Sequence, residues 1–138
     1  MTRIQNLNLY LGISQIPKEE RKKCIPTVIR IIELCKFVAK NGIIALQDQV
    51  INETGFLKTA ITITSEIYDY DICEKILHNS ILSSGDTGVD LLNKIIIADG
   101  LILLLTKTES CTPYILANVL GSFNLYGCLS YFSCFYRL

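Results

Sequence analysis

Between Thr27 and Asn52 the sequence reads TVIRIIELCKFVAKNGIIALQDQVIN, and its charged residues Arg30, Glu33, Lys36 and Lys40 recur at steps of three and four. That spacing is the period of an α-helix and places all four on one wet stripe. Val28, Ile29, Ile31, Ile32, Leu34, Cys35, Phe37 and Val38 cover most of the remaining circumference. A helix built this way is buried on more than one side, so the chain must pack helix on helix. The stretch is expected to form one long helix, or two joined at Gly42, with Thr27 as the N-cap behind Pro26.

The segments that follow extend this pattern. ETGFLKTAITITSEIYD (53–69) contains an Ile-Thr-Ile-Thr alternation of period two at 61–64, which taken alone is a strand signal. A lone strand among helices has nothing to pair with, so a helix is expected here too. DYDICEKILHNSIL (69–82) reads as a short amphipathic helix with Ile72, Ile76, Leu77 and Ile81 inward and His78 partly exposed near its end. Asp69 and Asp71 stand in a turn that favours local hydrogen bonds from aspartate. SSGDTG (83–88) is a loop in which Asp86 or Thr87 caps the helix running through VDLLNKIIIADGLILLLTK. A last helix is expected over 111–121, with Thr112 as cap and Pro113 at its first position.

Two phrases are nearly the same: VAKNGIIALQDQV (38–50) and IADGLILLLTKT (97–108). Each sets a glycine before an apolar run and a polar exit. Glycine inside a helix costs about 1 kcal/mol relative to alanine, and close approach of a second helix is the natural return. Gly42 and Gly100 are therefore expected to mark two helix crossings. Asp99, within an apolar run, must be paired or hydrogen-bonded if buried, and a bond to another helix is its expected role. The expected architecture is all-α: a single compact bundle of about five or six helices with an internal two-fold repetition. Residues 1–26 would form an N-terminal segment, 27–124 the helical domain, and 125–138 an uncharged aromatic tail packed on it.

Composition narrows the function classes. Thirteen basic and thirteen acidic residues cancel, which leaves none of the basic surplus that a nucleic-acid surface needs. The one basic run, KEERKK (18–23), carries its own acids and reads as a solvated segment. With 50% hydrophobic and 19% charged residues, the chain can bury a real core. Its six cysteines are irregularly spaced, several within apolar helical stretches, as expected for reduced core thiols in the cytoplasm.

The opening residues lack the pattern of a secretory leader, with Gln5, Asn6 and Asn8 breaking the apolar positions. The run 95–105 contains Asp99 and is too short to span a bilayer, which takes about 18 apolar residues or more. Residues 110–136 contain no charge, but Pro113, Asn118, Asn124 and two glycines make them a poor span. Peripheral membrane contact through them is the lesser expectation. One histidine and no Cys-x-x-Cys give no basis for a metal centre, and no nucleophile stands convincingly beside a base. No catalytic residue and no cofactor is expected.

In FVAKNGIIALQDQVINETGFLKTAITITSEIYDYDICEKIL (37–77) the order of features resembles the cytoplasmic segment of the bacterial flagellar stator subunit MotA, of the MotA/TolQ/ExbB proton-channel family. That segment carries an aromatic-Ala-basic-basic-Glu-Gly phrase, an apolar run ending in Leu-Glu, a Phe-Leu-Lys helix and an Asp-rich turn. LLNKIIIADGLILLLTKTESCTPYILANVLGSF (91–123) resembles the second cytoplasmic phrase of the same family, through Asp99-Gly100, Pro113 and Leu120-Gly121-Ser122-Phe123. The family's four membrane helices have no counterpart in this sequence: between Leu82 and Val89 there is only a short polar loop. The charged pair with which the family meets its rotor corresponds here to Ala39, beside Lys40, and Gln47.

The resemblance implies a non-enzymatic interaction or structural module that conducts no ions. Its partner would be a motor- or stator-related protein, or a second copy of itself. The expected contact face is Arg30, Glu33, Lys36 and Lys40, continued by Gln47 and Asp48. The competing expectation is a small-ligand or catalytic pocket near Asp99, lined by Tyr126, Tyr131 and Tyr136.

Overall fold

The structure, a computed structural model, describes residues 16–67 and 69–106. In chain order the elements are α1 (Lys18–Arg21), a 3₁₀ turn (Lys22–Cys24), α2 (Ile25–Asn41), a 3₁₀ segment (Ile43–Asn52), α3 (Gly55–Ile67), α4 (Tyr70–Ser84) and α5 (Gly88–Thr106). Among the described residues there is no strand, and the fold is an all-α bundle. The helix expected over 111–121 and the aromatic tail lie outside the described residues.

Helix α5 is the hub. Leu91, Leu92, Ile95, Ile96, Ile97, Ala98, Leu101, Ile102 and Leu104 are all buried, so it is apolar around most of its circumference. It packs against α2, α3 and α4. Helix α2 meets it with Val28, Ile31, Ile32 and Cys35, and α4 with Leu77 and Ile81. The wet stripe on α2 carries Glu33 and Lys40 in solvent and Arg30 and Lys36 half-buried.

The Ile-Thr alternation of 61–64 is helical. Thr62 and Thr64 donate their hydroxyls to the carbonyls of Lys58 and Ala60, one turn back, at 2.9 and 2.8 Å. That local bond satisfies the Thr64 hydroxyl although the residue is fully buried. Helix α4 starts on Asp69, whose carboxylate accepts from the Ile72 amide at 3.0 Å.

Four expectations need correction. Thr27 is not a cap: α2 begins at Ile25 with Pro26 in its first positions, and the Thr27 hydroxyl donates to Asn93 Oδ1 at 2.6 Å. Asp86 turns its carboxylate to Lys94 instead of capping α5. On α4 the inward face is Cys73, Leu77, His78 and Ile81, whereas Ile72 and Ile76 are 48% and 39% exposed. The helix is rotated so that His78, expected in partial contact with water, lies buried against α5.

Gly42 is the fourth. It ends α2 with φ +84° and ψ 162°, exposed, with no atom within 4 Å of where a Cβ would sit. That backbone region is essentially open to glycine alone, so Gly42 terminates a helix and marks no crossing. Gly100, by contrast, lies mid-helix in α5, and a Cβ there would overlap the Ile31 side chain of α2. The two glycines have unrelated jobs, and the described residues do not show the two-fold repetition read from the paired phrases.

Candidate functional site

After Gly42 the chain does not prolong α2 but folds back along it as the 3₁₀ segment. Ten residues is long for this geometry, whose hydrogen bonds are poorer than those of an α-helix. Tertiary contacts hold it. Leu46 is fully buried, and the segment packs against both α2 and α3. Gln47 Nε2 donates to the Ser65 carbonyl at 3.4 Å.

Arg30 supplies the polar fastening. Its Nε and Nη2 reach the Glu53 carboxylate, Nη2 also donates to Gln49 Oε1 at 3.2 Å, and Nη1 donates to Glu33 at 3.3 Å. The Arg30 and Glu53 side chains are only 29% and 13% exposed. A forked guanidinium bound to partners on both sides is a clamp between α2 and the returning segment, and its charge is already matched. Of the six residues expected to form one contact stripe, Arg30 is thus committed to partners within the chain. Gln47 and Asp48 sit on the folded-back segment and do not continue the line of α2.

The outer surface of that segment is the more open face. Ile44 and Ile51 are 73% and 87% exposed. Between them stand Gln47 and Asp48, both exposed, and Lys40 is exposed at the end of α2. An α-helical reading of 43–52 puts Ile44 and Ile51, seven positions apart, on one face, but its period does not say whether that face turns to the core or to solvent.

An open cleft of about 510 Å³ lies between the first turns of α2, α3 and α5. Arg30 and Lys94 line it together with Glu53, Asp86 and Asp90. Lys94 pairs with Asp86 and places its ammonium 5.4 Å from the centre of the Phe56 ring. Hydrogen bonds from Lys94 and then Ser84 hold the Asp86 carboxyl below its usual range. Both cations are engaged within the chain, so an incoming anion would first have to break an ion pair.

Asp99 is half-buried on α5, and His78 Nε2 lies 3.3 Å from its Oδ1. On the other side of the ring Nδ1 is buried without a hydrogen-bond partner, 3.8 Å from Glu74 Oε1. The contact joins α4 to α5, which is the interhelical role expected of Asp99. Its two carboxylates face opposite ring nitrogens and do not converge on one point. Among the described residues no group of three or more side chains could hold a metal ion.

Neither this cleft nor a second cavity of about 280 Å³ beside Ile16 and Val89 is lined by Asp99. Tyr126, Tyr131 and Tyr136, the other walls of the expected pocket, lie outside the described residues. Cys24, Cys35 and Cys73 are buried free thiols. Burial, and then the charge of Asp90, push the Cys24 thiol up to about 11, so it is a poor nucleophile. No helix among the described residues is long and apolar enough to cross a membrane. No protein-family model, no curated protein and no solved structure matches the chain.

Proposed function

We propose that this chain is a non-enzymatic protein-interaction module of the kind found in the cytoplasmic part of a flagellar stator subunit, working in the cytoplasm and conducting no ions. The observation that carries the reading is the outer face of the 3₁₀ segment, where Ile44 and Ile51 stand in solvent at 73% and 87% exposure on either side of Gln47 and Asp48. Burying a side chain of that size against a partner is worth about 1.5–3 kcal/mol. Two of them with a polar pair between make an anchor for one protein groove. Lys40 stands at the border and supplies the only charge the motor-type contact would retain near the first glycine.

The test is a binding measurement between the full chain and the rotor protein of a flagellar motor. Binding is expected, with Ile44→Glu, Ile51→Glu and Lys40→Glu each weakening it about tenfold or more while leaving the helical signal intact. Absence of binding, or binding indifferent to all three substitutions, removes the proposal.

A further inference from the structure

A second surface, on a different element from the one above, has the pattern of a self-complementary contact. Helix α4 keeps Cys73, Leu77, His78 and Ile81 for the core, yet turns Ile72 and Ile76 outward. These two isoleucines are one helical turn apart and form a ridge on the solvent side. Asp71 and Lys75, each one position earlier, are exposed along one flank of that ridge, and neither forms an ion pair among the described residues. Asn79 continues the outward midline beyond the ridge and is also exposed.

We propose that α4 docks against α4 of a second copy of this chain, antiparallel, about a two-fold axis near Glu74. A two-fold contact is isologous: the residue that meets its partner in one direction is met by it in the other. An axis at this position sets Ile72 beside the partner copy's Ile76 and Ile76 beside its Ile72. In an antiparallel helix pair the same flank of each helix comes together, so Asp71 faces Lys75 of the other copy, and Lys75 faces Asp71. Each ion pair therefore forms twice. A parallel arrangement would instead bring opposite flanks together, leaving Asp71 and Lys75 on the outer sides of the contact without a partner charge, so only the antiparallel pair gains the ion pairs. The charge order along one turn thus specifies both the occupant and its direction. Four isoleucines across the axis make a small interface, at the weak end of specific association.

Sedimentation equilibrium of the full chain, from about 10 µM to about 1 mM, reads the result directly. The mass is expected to rise from monomer towards dimer over that range. Ile76→Glu should hold the chain monomeric throughout, and Asp71→Lys should weaken the dimer about fivefold or more. The exchange Asp71→Lys with Lys75→Asp restores both cross-pairs and should bring the dimer back. Ile44→Glu, on the 3₁₀ segment, should leave it unchanged, which separates this contact from the partner surface proposed above. A chain monomeric at all concentrations overturns the inference. So does a dimer that ignores Ile76→Glu, or one that the charge exchange fails to rescue.

Discussion

A methyl group on Gly100 of α5 would occupy the space already held by the γ2 methyl of Ile31 on α2, and its Cβ would stand 3.4 Å from both Cβ and Cγ1 of that side chain. Ile31 is fully buried, so it has nowhere to swing. Two opposed effects act on Gly100→Ala. Helix propensity favours alanine by about 1 kcal/mol. Overpacking at a crossing costs about 1–3 kcal/mol, since either the isoleucine leaves its rotamer or the helices part. Overpacking should win, and the melting temperature should fall. Ile31→Ala removes the obstacle, so in that background Gly100→Ala should become neutral or stabilising. A double-mutant cycle showing simple additivity would contradict the crossing.

Gly42→Ala should also destabilise, by a different route. There is open space around Gly42, but its φ of +84° with ψ 162° is strained for any side chain. Holding alanine there costs about 1–3 kcal/mol. Asparagine, which rescues left-handed helical positions, should not rescue this extended one. Thermal melts in the Ile31→Ala background should return the same loss for Gly42→Ala as in the parent, because no side chain borders the site.

These two glycines show where the sequence is legible and where it is not. In both places the letter says only that a Cβ is unwelcome; whether φ or a neighbouring helix forbids it depends on the path of the chain afterwards. The polar stripe of α2 and the apolar wrap of α5 each run for about three turns or more, so their helical character could be read directly. On α4 two apolar stripes compete, Ile72 with Ile76 and Cys73 with Leu77 and Ile81. The second goes inside, together with a histidine that meets Asp99 from α5. That choice rests on a residue twenty-one positions away, which no local window contains. The same holds for Arg30: its charge placed it on the wet stripe, but its partners Gln49 and Glu53 arrive only because the chain doubles back.

Arg30→Met should loosen the 3₁₀ segment ahead of the rest of the molecule. The substitution leaves Glu53, only 13% exposed, without its cation, and removes the bond to Gln49. Losing a charge-assisted bond at a largely buried carboxylate costs about 1–3 kcal/mol. The loss should be local, because α3 and α5 keep their own packing. Amide exchange in 43–52 should accelerate well beyond that in α5, and Glu53→Gln, which keeps an acceptor, should cost less than Arg30→Met. Equal acceleration across the whole chain would mean that the clamp supports the bundle and not the segment.

Cys24 gives a pH dependence whose sign can be worked out. Burial, and then the negative charge of Asp90, raise its folded pKa from 9.0 to about 11, while its thiol points at the Val89 carbonyl 3.8 Å away. In the unfolded chain the thiol ionises near its ordinary value; in the folded one it stays protonated. The folded state therefore holds more protons between pH 9 and 11, and stability must fall as pH rises through that window. Below pH 9 both states are protonated and the effect vanishes. A shift of this size corresponds to at most about 2–3 kcal/mol by the upper end of the window. Burial raises the Cys73 thiol and the Tyr70 phenol in the same sense, so some alkaline slope will survive without Cys24. Cys24→Ala should nonetheless flatten the stability profile between pH 9 and 11 relative to the parent, whatever it costs at neutral pH. In the folded parent at pH 8, Cys24 should also resist a thiol reagent until the chain is unfolded. Rapid labelling there, or an alkaline slope untouched by the substitution, would show that the thiol is neither buried nor held neutral.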